Sequence, residues 1–162
     1  MLYAVIFRGV KILTMDRDIL FKAKSIRTDK WCYGGFVKNR DGKCYIKDTD
    51  YNVNNGKIDI IPEEVYPETV CQFTGLFDSN NAKIFEGDVL ADKNRKDWDK
   101  TNFVAYEVFY HDNDCCEYNV GFQMNRHHYN GAICGTSDFR KFTPKTVKKM
   151  EVISNVKDAV FA

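Results

Sequence analysis

The sequence has no C-x-x-C pair, no apolar run near the ~18 residues of a membrane span, and almost no surplus of one charge. Each absence removes a class of protein. Six cysteines are present, Cys32, Cys44, Cys71, Cys115, Cys116 and Cys134. Structural zinc normally draws on closely spaced pairs, so these read as buried, reduced thiols. A Cys32–Cys44 disulfide is conceivable. If Asp41-Gly42 is a two-residue turn, however, Cys44 faces Asn39 and Cys32 faces Tyr51, which leaves the two apart. The 24 basic and 23 acidic residues give a net charge of +1. A general nucleic-acid coat would show a clear basic surplus, although a local patch remains open. The sequence also lacks G-x-S-x-G, a P-loop, H-E-x-x-H and G-x-G-x-x-G, the main enzyme fingerprints. No cofactor is expected. Arg8 and Lys11 stand too close together for the apolar stretch of a secretion signal, so the chain reads as cytoplasmic and no membrane partner is expected.

What is present points to a β-rich, well-filled core. The 162 residues are 44% hydrophobic and 14% aromatic, which suits one domain, or one domain with a small appendage. A chain of this length buries about 70% of its unfolded surface and needs neither metal nor disulfide to fold. No stretch keeps a helical period over three turns. The expected fold class is all-β to α+β, with mostly antiparallel strands.

In chain order, Tyr3 to Arg8 reads as a strand with two apolar faces, and Ile19-Leu20-Phe21 starts another. Trp31 to Val37 and Cys44 to Ile46 form a hairpin on an Asp-Gly signal. Tyr51 to Gly56 reads as loop and Lys57 to Ile61 as a short strand. Pro62 to Pro67 holds two prolines in six residues, which break both helix and ladder. It predicts a boundary between an N-terminal β unit, 1–61, and a second unit, 68–162, although the two can pack as one compact domain. Beyond it, Asp92 to Lys100 reads as a charged loop, and Phe103 to Tyr110 is the strongest β run. Tyr118 to Met124 pairs back on that run. Ser137-Asp138-Phe139 has the chemistry of a single helical turn. Thr143-Pro144 either blocks a helix or opens a short one. Met150 to Val156 is the final strand.

The most informative stretch is Glu68 to Leu90. Thr69 to Thr74 is β-branched and aromatic. Asp78-Ser79-Asn80-Asn81 then predicts a type I turn with Asn81 in the left-handed position. Ile84-Phe85 returns, and Glu86-Gly87-Asp88 turns again before Val89-Leu90. The string ETVCQFTGLFDSNNAKIFEGDVL resembles the signature of the YopX family of phage and prophage proteins. The matching positions are Gln72, Phe73, Thr74, Gly75, Leu76, Asp78, Asn81, Ile84, Glu86, Gly87 and Asp88, read as structural. Asn81 stands where that family carries a turn Gly. Weaker echoes lie in Tyr3 to Arg8 and Glu151 to Val156, where Ser154 departs from the usual Gly before Asn155. The resemblance implies a β-rich fold with an SH3-like barrel and a bacteriophage origin. With the Pro62 to Pro67 boundary, the barrel falls in the C-terminal part, after a smaller N-terminal β unit, and the cytoplasm is that of a bacterial host cell. It implies no activity.

Glu86 and Asp88 flank a bend, and paired carboxylates can bind metal or share a proton. The preferred reading has Asp88 closing the turn and Glu86 in solvent. His111, Asp112, Asp114, Cys115 and Cys116 gather ligand types, but adjacent cysteines on a strand face opposite ways. His127-His128 has no third partner by spacing. Arg140, Lys141, Lys145, Lys148 and Lys149 form the one basic run and are the candidates for phosphate contact. The expected function is therefore a non-enzymatic macromolecular interaction module. Its partner is another protein or a second copy of itself. Nucleic-acid binding through the 140–149 segment is the alternative.

Overall fold

The computed structural model describes residues 18–47, 53–54, 57–58, 62–96, 103–112, 120–127 and 139–161. The first strands are β1 (Phe21–Lys24), β2 (Trp31–Lys38), β3 (Cys44–Lys47), β4 (Val53–Asn54), β5 (Lys57–Ile58) and β6 (Glu63–Val65). A 3-10 turn at Pro67–Thr69 leads to β7 (Cys71–Phe77), β8 (Lys83–Phe85) and β9 (Asp88–Lys96). Then follow β10 (Phe103–His111), β11 (Gly121–His127), β12 (Phe139–Arg140), the short helix α1 (Pro144–Val147), β13 (Glu151–Asn155) and a 3-10 turn at Val156–Phe161. Among the described residues every ladder is antiparallel.

Two sheets result, ordered β6-β3-β2-β1-β7-β8 and β12-β11-β10-β9-β13, beside the small β4-β5 ribbon. The first sheet takes strands from both sides of Pro62 to Pro67, through the pairing of Phe21 and Lys22 with Gln72 and Cys71. The expected SH3-like barrel is corrected: the described strands form open sheets. The first sheet curls instead, until Val65 of β6 bridges Ser25 just past β1. Ile26 N donates to Glu64 O at 3.0 Å and Tyr66 N to Lys24 O at 3.0 Å there. Inside the curl lie Ala23, Cys44, Ile46 and Val65, with Phe21, Cys32, Phe36 and Val70 against them.

The second core follows from period-2 alternation along β10, where Val104, Tyr106 and Val108 are buried. They pack on Ile84, Leu90 and Met124, on Val147 at the end of α1, and on Met150 just before β13. Full burial of each such aliphatic side chain is worth about 1.5–3 kcal/mol. Pro144 opens α1 at its first position. Thr143 and Thr146 form a reciprocal capping box.

Several local expectations change. The β2–β3 loop is three residues, not two: Asn39 N donates to Lys43 O at 2.9 Å, and Gly42 takes φ +84°. Cys44 therefore pairs opposite Lys38, and Cys32 opposite Ala23 on β1. Cys32, Cys44 and Cys71 are free thiols. Asp92 to Lys96 is strand, not loop. Arg95 Nη1 donates to Tyr106 Oη at 2.8 Å, and Lys93 pairs with Glu151 across β13. Val53–Asn54 pairs with Lys57–Ile58, and Phe139 starts a strand opposite Asn125 rather than a helical turn. The run Tyr3 to Arg8 lies outside the described residues.

Candidate functional site

The chain leaves β8 at Phe85, bends through Glu86-Gly87 and enters β9 at Asp88, which carries it from the first sheet to the second. Gly87 takes φ +76°. Its N–H donates to Val108 O at 2.7 Å, and its carbonyl accepts Val156 N–H at 2.9 Å. A Cβ on Gly87 would stand 3.1 Å from Asn155 Oδ1, 3.2 Å from Asn155 Nδ2 and 3.3 Å from Val156 Cγ2. Left-handed backbone costs a side chain about 1–2 kcal/mol before any crowding. Gly87→Ala is expected to lower the stability measured by urea unfolding by about 2 kcal/mol or more.

Asp88 is buried and closes the bend by accepting Phe85 N–H on Oδ2 at 2.8 Å. Its Oδ1 accepts Lys22 Nζ at 2.6 Å and Asn155 Nδ2 at 2.8 Å. Lys22 is also buried, its ammonium 4.7 Å from the centre of the Trp31 ring and 5.0 Å from that of Phe85. Those faces supply cation–π attraction where water is excluded. Asn155 donates in addition to Glu86 O at 3.1 Å and accepts Lys157 N–H at 2.9 Å.

The C-terminal 3-10 turn then clamps over the first sheet. Asp158 accepts Trp31 Nε1–H at 2.9 Å and Asn155 N–H at 2.8 Å, and its carbonyl accepts Lys24 Nζ at 3.0 Å. Lys157 Nζ donates to Val70 O at 2.9 Å. One residue from β1, one from the start of β9 and one from the end of β13 thus meet in a satisfied ion pair. Both carboxylate oxygens of Asp88 are occupied by donors, which holds chain segments together rather than shuttling a proton.

Two acids beside this cluster titrate late. Burial pushes the Cys71 thiol above its ordinary 9.0, only partly offset by Lys157 and Lys22. Burial first, then the Asp88 and Asp158 carboxylates, raise the Tyr33 phenol above 10.0. The unfolded chain releases these protons first. Stability is therefore full below the ordinary values and is lost as pH rises through the raised ones. The urea midpoint is expected to hold up to about pH 9 and to fall as pH rises beyond it, with a shallower fall in Cys71→Ala.

Asp78 makes a second joint. Buried, it accepts Asn80 N–H and Ala82 N–H on Oδ1, each at 2.8 Å, and Val152 N–H of β13 on Oδ2 at 3.0 Å. Asn81 takes φ +64°, and Asp78 N donates to Ala82 O at 2.9 Å. This is the β2–β3 loop repeated, with Asp78 and Asn81 where Asn39 and Gly42 stand. Thr74 Oγ1 donates to Ile84 O at 2.8 Å, Gly75 takes φ +83°, and Leu76 and Ile84 pack in the second core. Phe73 sits between Phe77 and Phe85, each ring 5.5 Å away. Gln72 O accepts Glu86 N–H at 2.9 Å, and Glu86 is half-buried rather than in solvent.

The remaining candidates do not converge here. Lys141, Lys145, Lys148 and Lys149 are exposed around α1, with Lys148 Nζ donating to Asp78 O at 3.4 Å, and Arg140 lies on β12 opposite Met124. His111 is buried at the end of β10 and Asp112 is exposed, while Asp114, Cys115 and Cys116 lie outside the described residues. His127 ends β11, and His128 is outside them. Among the described residues no three metal-ligating side chains gather, and no helix is long and apolar enough to cross a membrane. Sequence reasoning missed Lys22, Trp31 and Asp158. Two lysines alternating with Phe21 and Ala23 were the only local sign.

Comparison with known proteins supports the fold and the motif. Protein EF1440 from Enterococcus faecalis, a crystal structure, is similar over 90% of this chain and 99% of its own, with a TM-score of 0.52 and 16% identity. No curated protein matches. The model of the YopX protein family matches residues 20–158, which takes in β1, the bend and the Asn155–Asp158 clamp. The chain belongs to the YopX family.

Proposed function

We propose that this chain is a phage accessory protein that works in the cytoplasm of a bacterial host as a non-enzymatic macromolecular interaction module. The observation that carries this reading is the use made of the motif carboxylates. Asp78 and Asp88 are buried with their oxygens held by backbone amides, Asn155 and Lys22. The motif is scaffold, so function falls to the surfaces it displays. An added strand finds little on β13, because Asp78 and Asp158 already take the Val152 and Asn155 amides. A register shift between Val152 and Ser154 interrupts that edge further. The test is affinity capture of the tagged chain from infected or lysogenic cells. A stoichiometric partner supports the module, whereas a chain that recovers neither protein nor nucleic acid contradicts it.

The second reading is phosphate binding by the exposed lysines around α1, which Val147 and Met150 anchor in the core. Reversing Lys145, Lys148 and Lys149 to Glu is expected to abolish retention on single- or double-stranded DNA at low salt if this reading holds. Unchanged retention removes it.

A further inference from the structure

Charge is near balance over the whole chain but not along it. Residues 18–47 carry eight Lys and Arg against three Asp and Glu, a surplus of five in a chain whose total is +1. Of those eight, Lys22, Lys24, Lys38 and Lys47 lie on β1, β2 and β3, and Arg27, Lys30, Arg40 and Lys43 lie in the turns between them. Cys44 and Ile46 face the interior of the curl, so Tyr45 and Lys47 face outward. On β2, Cys32 and Phe36 pack inward, and Tyr33, Gly35 and Val37 share the outer face. Tyr33 is 50% and Val37 49% exposed, and Lys47 is exposed.

Register sets the pattern. Val37 lies opposite Tyr45, and Gly35 opposite Lys47. Tyr33 and Val37 are therefore about 13 Å apart along the strand, with bare backbone between them. A Cβ on Gly35 would meet nothing nearer than Lys47 O at 4.0 Å. The result is a shallow trough. Tyr33, its ring packed against Phe85 with centroids 5.8 Å apart and its remaining half exposed, walls one end, Val37 and Tyr45 the other, and Lys47 stands at its side. Glu64, opposite Tyr45, is paired with Lys43 at 2.9 Å, and the Asp88 and Asp158 carboxylates that act on Tyr33 are held by Lys22 and Trp31.

We infer that the outer face of β2 and β3 binds single-stranded nucleic acid, with bases stacking on Tyr33 and Tyr45 and phosphate meeting Lys47. A sequence-tolerant single-strand surface combines aromatic faces with positive charge, and this trough has both. A peptide added as a strand needs free edge amides. Beside this face the edge strand β6 is already joined to Ser25, Ile26 and Lys24. The inference rests on the interaction-module reading and names its partner class and surface.

The test is fluorescence anisotropy of the whole chain with labelled oligothymidylate and oligouridylate of about 15 nucleotides. Binding is expected at low salt and to weaken steeply as salt rises. Tyr33→Ala and Tyr45→Ala should each weaken it about tenfold or more, with Tyr33→Phe close to the parent. Lys47→Glu should also reduce the salt slope by about one. Far-UV circular dichroism checks that each variant folds. The two oligonucleotides decide between DNA and RNA preference. Equal binding by the parent and a Tyr33→Ala/Tyr45→Ala double variant overturns the inference. So does binding that is lost only on reversing Lys145, Lys148 and Lys149. If neither oligonucleotide binds but capture returns a stoichiometric protein, the inference falls and the module reading stands.

Discussion

Asp88→Ala is expected to cost about 3–5 kcal/mol, the range for removing one partner of a buried ion pair. The loss would strand the Lys22 ammonium between Trp31 and Phe85, and free Asn155 Nδ2 and the Phe85 amide. Against a typical folding stability of about 5–15 kcal/mol, that is enough to leave much of the protein unfolded. The reverse truncation, Lys22→Met, should cost less. Asp88 would keep two neutral donors, and the methionine would still fill the space between the two rings. Urea unfolding of both variants checks the order. An Asp88→Ala variant within about 1 kcal/mol of the parent would show that the pair does not hold the structure.

The second large effect is expected at Asp78. Asp78→Ala removes the acceptor of three backbone amides, of which Val152 N–H lies on a different strand from the other two. A loss of about 2–3 kcal/mol follows, because water can reach Asn80 and Ala82 at the exposed loop but replaces the Val152 contact poorly. Asp78→Asn keeps one carbonyl oxygen for the loop and should lose roughly half as much. Amide exchange gives the finer check. Val152 N–H should exchange faster in both variants, and Asn80 N–H mainly in the alanine variant.

Local chemistry in the sequence reached as far as the hairpins. Asp78 and Asn81 announced their loop, because a short acceptor and a residue tolerant of left-handed φ act within four residues. Asp41-Gly42 misled on length, since only Gly42 goes left-handed and Asn39 supplies the capping oxygen, accepting Asp41 and Lys43 amides at 3.0 and 2.9 Å. Asp92 to Lys96 looked like loop because Lys93 and Arg95 find their partners across strands, at Glu151 and Tyr106. The barrel came with the family resemblance, and nothing in residues 68–162 specifies that their sheet closes. The joint was the least legible part. Lys22 and Asp88 are 66 residues apart, so no window of sequence contains both. Asn155 was visible only as an echo of the family pattern. Its role exists only where the bend, β1 and the end of β13 meet, at Glu86 O and Asp88 Oδ1.

These elements make one account. The family motif builds a joint between two sheets, in which Asp88 holds Lys22 of β1 and Asn155 of β13. The most direct measurement is a double-mutant cycle of Lys22→Met and Asp88→Asn, with stability from urea unfolding followed by far-UV circular dichroism. The account predicts a coupling of about 2 kcal/mol or more, within a single cooperative transition for the parent protein. Additive losses, within about 0.5 kcal/mol, or two separate transitions in the parent, would contradict it.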